Sequence, residues 1–333
     1  MRRLNTKFSK VFKMYIKHLF WKLQIQIAHI SQSLLAKSNL VFTFQISHLR
    51  RRDREFPNKS LPLKDICIVM QGPILHRGDL TLRICKNIII NYPQVPIILS
   101  TWNTDQRYLD KFKNLGVIVK ICQYPIDPGI GNINLQITST REGVNLADQL
   151  RNKFILKMRT DTWFSQPDFL LLLCEEYLQF GGDEFQGPII VTCFNTSASI
   201  PFSINDQINF GLSSQLKKFW NVPLDSRTIL DLPYSLKSLD PIEISRNRLA
   251  EVWLVTHFLE QQNYNFSYNE QSYRNILARF FVVIDESTLG FIWFKSVLRD
   301  SRYMRQSRMK EYNLACLTRS QWLEIFRTRQ NPS

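Results

Sequence analysis

The chain has 333 residues, 44% hydrophobic and 21% charged, which is ordinary for a globular protein with room for one large domain or two small ones. That balance excludes a disordered chain, a collagen-like repeat and a disulfide miniprotein, and no fixed-period repeat points to a solenoid or propeller. The formal charge of +15 gathers at the ends: residues 1–60 hold 13 Lys+Arg against 2 Asp+Glu and residues 295–333 hold 9 against 3, so the body, residues 61–294, is near neutral.

Basic ends call for an anionic partner, either nucleic acid or the inner face of a membrane. Phe8, Phe12, Ile16, Leu19, Leu23, Ile27, Ile30 and Leu34 recur every three or four positions, with Lys7, Lys10, Lys13, Lys17 and Lys22 between them. This spacing predicts a basic amphipathic helix. Such a helix either packs its apolar stripe on its own domain or lies in the plane of an anionic bilayer surface, where each cation contributes on the order of 1 kcal/mol. No nucleic-acid-binding motif accompanies the charge, so nucleic acid is not expected as a partner. Arg50-Arg51-Arg52-Asp53-Arg54 reads as a solvated linker or a second phosphate contact. Neither a run of about 20 apolar residues nor a secretory signal is expected. The six cysteines are scattered without a C-x-x-C pair and read as buried structural thiols. These features together predict a cytoplasmic protein, peripheral on the inner face of the cytoplasmic membrane.

From residue 65 short apolar runs alternate with helical patterns. Ile66 to Met70 predicts a strand buried on both faces, ended by the turn Gln71-Gly72-Pro73. Asp79 is expected to cap a helix carrying Leu80, Ile84 and Ile88, stopped at Tyr92-Pro93. A strand over 97–102 follows, then a helix near 104–114 closed by Gly116, a strand over 117–119, a helix near 135–152 and a strand over 154–158 that ends in Arg159-Thr160-Asp161. Asp168 is expected to cap the next helix. Later elements are a strand over 189–194, an extended piece over 205–210, helices over 211–220 and 243–262, a strand over 280–284 and basic C-terminal helices. This alternation predicts an α/β fold, a mostly parallel Rossmann-like sheet with helices on both faces. In such sheets ligands bind beyond the carboxyl ends of the strands. Three of those ends carry polar or turn-forming groups: Gln71-Gly72-Pro73, Ser100-Thr101-Trp102 and Arg159-Thr160-Asp161. The NAD and ATP glycine fingerprints are absent.

These stretches resemble the WavE lipopolysaccharide-synthesis family. The resemblance rests on the Gln71-Gly72-Pro73 loop, the Cys85 helix ending in Tyr92-Pro93, Ile98 to Trp102, Asn134 with Gln136, Ser139-Thr140 through Gly143 to Ala147, and Lys157 to Asp161. A later block from Asp206-Gln207 to Phe210-Gly211, with Glu251, fits less tightly. Coverage is roughly residues 65–285. The resemblance implies a GT-A-like fold and an enzyme, a nucleotide-sugar-dependent glycosyltransferase of cell-envelope polysaccharide synthesis. Its partners would be a nucleotide-sugar donor, a lipid-linked glycan acceptor and an anionic membrane surface.

Sugar transfer must stabilise a departing diphosphate, support an oxocarbenium-like carbon and remove a proton from the acceptor hydroxyl. GT-A enzymes usually meet the first need with Mg²⁺ or Mn²⁺ on an Asp-x-Asp loop. Asp161 takes the last position of that pattern and is the candidate metal ligand. Arg159 stands in place of the first Asp, where it can pair with Asp161 or with phosphate oxygens. Asp206 and Glu251 are the candidate catalytic carboxylates. Donor binding falls to Gln71, Gly72, Pro73, Thr101, Trp102, Asn134, Gln136, Ser139 and Arg159, with Arg141 expected in the first turn of its helix as an anion contact. The domain reading is a basic segment over 1–60, a GT-A-like domain over 61–294 and a basic extension over 295–333. The alternative is a non-catalytic membrane-surface or nucleic-acid-binding protein on the same fold.

Overall fold

The computed structural model describes residues 61–181, 187–232, 239–294 and 316–330. The N-terminal amphipathic helix and the Arg50–Arg54 cluster fall outside the described residues. In chain order the regular elements are β1 (Ile66–Gln71), α1 (Leu80–Asn91), β2 (Ile97–Trp102), α2 (Gln106–Lys113), β3 (Ile118–Cys122), α3 (Ile133–Gln149), β4 (Phe154–Arg159), β5 (Thr162–Phe164), α4 (Phe169–Phe180), β6 (Ile189–Thr192), β7 (Asn209–Leu212), α5 (Ser213–Trp220), α6 (Pro241–Arg246), α7 (Ala250–Gln261), α8 (Glu270–Phe280), β8 (Phe281–Ile284), α9 (Glu286–Leu289), β9 (Phe291–Trp293) and α10 (Arg319–Gln330).

The apolar runs become strands because both faces of the sheet are covered. Every residue of β1 and β2 is buried, and each fully buried aliphatic side chain contributes about 1.5–3 kcal/mol. Seven strands form one sheet in the order β3-β2-β1-β4-β7-β6-β8. β1, β2, β3 and β4 are parallel, as are β6 and β8, while β7 runs antiparallel between β4 and β6. The protein is therefore a mostly parallel α/β fold with one reversed strand. Gly143 brings α3 onto the sheet: a Cβ there would lie 2.5 Å from Val69.

The chain steps outward from β1 to β2 and β3, then returns to place β4 on the other side of β1. Such a reversal opens a crevice beyond the carboxyl ends of the two strands that flank it. Here those ends are Gln71 and Arg159, which are register partners.

Several local expectations change. Asp79 does precede α1, but in the left-handed region (φ 52°) and without a side-chain cap; its carboxylate accepts from the Tyr108 hydroxyl at 2.7 Å instead. Asp168 likewise precedes α4 without capping it. The helix expected over 243–262 is two helices, broken where Arg248 takes φ 46°. Arg248 is held there by Glu260 and the Tyr268 hydroxyl, and the carbonyls of Asn247 and Arg248 accept from Arg227. The C-terminal α10 is part of the core. Trp322 is fully buried and donates to the Leu277 carbonyl, and Arg319 Nη2 donates to both carboxylate oxygens of Glu176 at 2.8 Å.

Candidate functional site

Where β1 ends, Gly72 adopts φ +120°, and a Cβ there would sit 3.1 Å from the Thr160 hydroxyl oxygen. Only glycine meets both conditions without strain. The Thr160 amide donates to the Gln71 carbonyl and its hydroxyl to the Pro73 carbonyl, so the turns after β1 and β4 are tied together. Gln71 is 2% exposed; its Oε1 accepts from Ser139, and its Nε2 is buried with no partner.

Arg159 ends β4, and the turn through Thr160 and Asp161 brings the Asp161 side chain back to it. Arg159 Nε donates to Asp161 Oδ1 at 2.8 Å and Nη2 to Oδ2 at 3.1 Å. Trp293 Nε1, delivered by the β5–β9 pairing, donates to the same Oδ2 at 3.0 Å, and its ring lies 5.6 Å from the guanidinium carbon. Burial alone would lower the Arg159 pKa, but the charge and hydrogen bonds of Asp161, with help from Asp206, raise it, so the guanidinium is a fixed cation. The sequence pattern makes Asp161 the candidate metal ligand. Its side chain is 5% exposed and its two oxygens already accept three N–H groups. Among the described residues no cluster of three His, Cys, Asp or Glu could hold an ion. The residues present do not fit a divalent cation at Asp161.

Lys157 lies two residues before Arg159 on the same face of β4 and is completely buried. Its ammonium donates to the Asp206 carbonyl and lies 4.6 Å from the centre of the Trp220 ring. Burial drives its pKa down to about 7, against the opposing pull of Asp206. Asp206 lies three residues before β7; it is 4% exposed, and among the described residues no hydrogen bond engages its carboxylate. The neighbouring backbone is held rigidly: Asn205 Oδ1 accepts from the amides of Gln207 and Ile208, while Asn209 links Trp220 Nε1 to the Asn205 carbonyl.

The start of α3 serves differently from the expectation. Asn134 is 2% exposed and uses both amide protons on the carbonyls of Asp127 and Asp225, and its oxygen on the Asp225 amide. It clamps two loops and keeps no N–H for a donor. Ser139 is fully buried between the Leu135 carbonyl and Gln71, so it positions Gln71 from behind. Gln136 retains a buried, unpartnered Oε1. Arg141 lies in the middle of α3, not its first turn, and donates to the carbonyls of Trp220 and Val222 at the end of α5. Thr101 is buried, and Trp102, 6% exposed, stacks at 4.4 Å on the exposed ring of Tyr124, a residue the sequence reading passed over. Glu251 occupies the first turn of α7, whose Ala250 faces Gly131 in the loop before α3.

A second Arg–Asp pair holds the α3 side. Arg227 Nε and Nη2 meet the two oxygens of Asp225 at 2.8 and 2.9 Å, the guanidinium stacks on Trp253 at 4.5 Å, and its outer edge donates to the Asn247 and Arg248 carbonyls, each at 2.7 Å.

The fold and this edge define a mostly parallel α/β protein whose polar strand ends meet at the strand reversal. The WavE lipopolysaccharide synthesis family matches the chain over residues 66–333, and the protein belongs to that family. A comparison with curated proteins finds no match. Among solved structures the chain is similar to a candidate nucleotide-diphospho-sugar transferase from Desulfovibrio desulfuricans G20, with 9% identity, TM-score 0.33, and coverage of 79% of this chain and 97% of that one. It is also similar to a glycosyltransferase involved in glycosylation of the major capsid of PBCV-1, with 9% identity, TM-score 0.31, and coverage of 66% and 81%. A candidate glucose-1-phosphate thymidylyltransferase from Bacillus anthracis has 11% identity, TM-score 0.29, and coverage of 47% and 76%.

Proposed function

We propose that this protein is a glycosyltransferase of the GT-A type, moving a sugar from a nucleotide donor to a lipid-linked glycan in envelope polysaccharide assembly. The observation that carries this reading is the set of buried polar atoms left without partners along one side of the sheet: Gln71 Nε2 at the end of β1, Thr162 Oγ1 just past β4, Thr192 Oγ1 at the end of β6 and Gln207 Oε1 before β7. Buried polar groups are normally paired, and these stand at the strand ends where open α/β sheets take ligands. Membership of a lipopolysaccharide-synthesis family supports a sugar as part of that ligand.

In this reading Gln71, Gly72 and Arg159 face the donor at the β1–β4 reversal, with Gln136 and the open ring of Tyr124 flanking it. The Asp206 carboxylate takes the proton of the acceptor hydroxyl, and Glu251 borders the acceptor side. Acid–base help of this kind is worth about 10²–10⁴-fold in rate. The basic segment over residues 1–60 holds the enzyme against the anionic surface that carries its lipid-linked acceptor. No helix among the described residues is long and apolar enough to cross a membrane.

Thermal unfolding against a panel of nucleotides and nucleotide sugars tests the donor half. One nucleotide class should raise the midpoint, since saturation at a hundred times Kd stabilises by about 2.7 kcal/mol. A silent panel, together with salt-sensitive RNA binding, would instead favour a binding protein. For the membrane half, the full chain should float with vesicles containing anionic lipid, and replacing Lys7, Lys10, Lys13, Lys17 and Lys22 by Gln should abolish flotation. Equal flotation of both forms counts against the anchor.

A further inference from the structure

We infer that Arg159 takes the place of a metal ion at this site: the outer N–H edge of its guanidinium receives the diphosphate of the donor, and neither donor binding nor transfer needs a divalent cation. The inference rests on the glycosyltransferase reading above.

Three features of the structure lead to it. First, a guanidinium carries five N–H groups in a rigid planar fork. Arg159 directs Nε and one Nη2 proton at Asp161, and among the described residues no hydrogen bond engages the opposite edge. That edge has the spacing that grips two phosphate oxygens at once. Second, the cation is held in position before any ligand arrives. Asp161 fixes its inner edge, Trp293 fixes Asp161 and lies beside the guanidinium, and the side chain is 13% exposed, so little rotamer freedom is left to lose on binding. Third, the neighbouring strand ends in Gln71, the register partner of Arg159, whose buried Nε2 is an unused donor at the same strand reversal. Asp161 is therefore the carboxylate that aims a cationic side chain, and the negative charge developing on the leaving diphosphate meets a preorganised N–H fork in a mostly buried setting, where such contacts act most strongly. Lys157 lies on the same face of β4, two residues behind, with its amine on the Asp206 carbonyl.

The chemical step is an ordinary substitution. The acceptor oxygen forms a bond to the anomeric carbon, and the bond from that carbon to the diphosphate oxygen breaks. The electron pair leaves with the diphosphate toward Arg159, and the hydroxyl proton goes to Asp206.

Calorimetric titration of the full chain with uridine, guanosine, cytidine and thymidine diphosphates, once in EDTA and once in Mn²⁺, decides the matter. The diphosphate that binds should show a Kd that differs by less than about twofold between the two conditions, because no Lewis acid takes part. Arg159→Lys keeps the charge but loses the fork and should weaken binding about tenfold in both conditions. Asp161→Asn should weaken it less, and equally in both. Binding seen only with Mn²⁺ and abolished in Asp161→Asn would overturn the inference and leave the glycosyltransferase reading in place. If no nucleoside diphosphate and no nucleotide sugar binds in either condition, that reading fails and the inference with it. Should Arg159→Lys not fold, the EDTA and Mn²⁺ comparison on the unaltered protein is sufficient by itself.

Discussion

Two Arg–Asp pairs built to the same plan stand in different parts of this fold. In each, the arginine and aspartate are two residues apart, two N–H groups meet two carboxylate oxygens at 2.8–3.1 Å, and a tryptophan ring lies beside the guanidinium. They differ at the outer edge. Arg227 donates there to two backbone carbonyls and so closes the break between α6 and α7. Arg159 has no such acceptor among the described residues and stands at the strand reversal. The same chemistry thus braces the molecule in one place and, in the proposed function, receives an anion in the other, and the difference lies in what the rest of the fold puts opposite the fork.

The largest effect that sharpens this contrast is expected at the closed pair. Arg227→Met leaves Asp225, whose side chain is 1% exposed, as an uncompensated buried charge and frees two carbonyls. It should cost about 3–5 kcal/mol in urea unfolding, whereas Arg159→Lys should act mainly on nucleotide affinity. If Arg227→Met unfolds like the unaltered protein, the bracing role is wrong. Next in size is Asn134→Ala, which removes the clamp on the Asp225 loop and should cost about 2–3 kcal/mol, measured by the same unfolding curves.

Lys157 probes the charge behind the open pair. Its folded pKa is depressed to about 7, while in the unfolded chain lysine holds its proton up to about 10.4. Between those values the unfolded state binds more protons, so stability rises with pH across the window, and below pH 7 the cost of burying the charge is fully present. The unaltered protein should therefore gain in midpoint from pH 7 to about 10 relative to Lys157→Met. Parallel curves for the two proteins would show that Lys157 titrates normally, whatever Arg159, Asp161 and Asp206 contribute around it. The smallest effect belongs to Trp293→Phe. It keeps the ring but removes one N–H from Asp161, and should cost about 1 kcal/mol with a slight loss of diphosphate affinity. A loss as large as that of Arg159→Lys would mean that Trp293 itself contacts the ligand.

Much of the fold was legible because its signals are local. An unbroken apolar run marks a strand covered on both faces, as in Ile66 to Met70, and Tyr92-Pro93 ends α1 because the residue before proline is pushed out of the helical region. Gly116 closes the turn after α2 with φ +79°. The break inside 243–262 was not legible, since Arg248 is held in its left-handed conformation by partners twelve and twenty residues further on. The site shows the same division. The pairing of Arg159 with Asp161 was open to sequence reasoning, because a guanidinium and a carboxylate two residues apart are natural partners. The use of Asn134 as a loop clamp could not, because its partner Asp225 is 91 residues away.

The sequence by itself determined the parallel α/β alternation, the polar strand ends and the charge at the termini, all consequences of periodicity and composition within short windows. Only the tertiary structure decided that β7 runs backwards between β4 and β6, that Trp293 reaches Asp161 across 132 residues, and that one of two matched arginines meets no acceptor at its outer edge among the described residues. The reason is physical. A hydrogen bond joins whatever donor and acceptor the folded chain brings to within about 3 Å, and that proximity is set by the packing of the whole sheet, which no local pattern encodes.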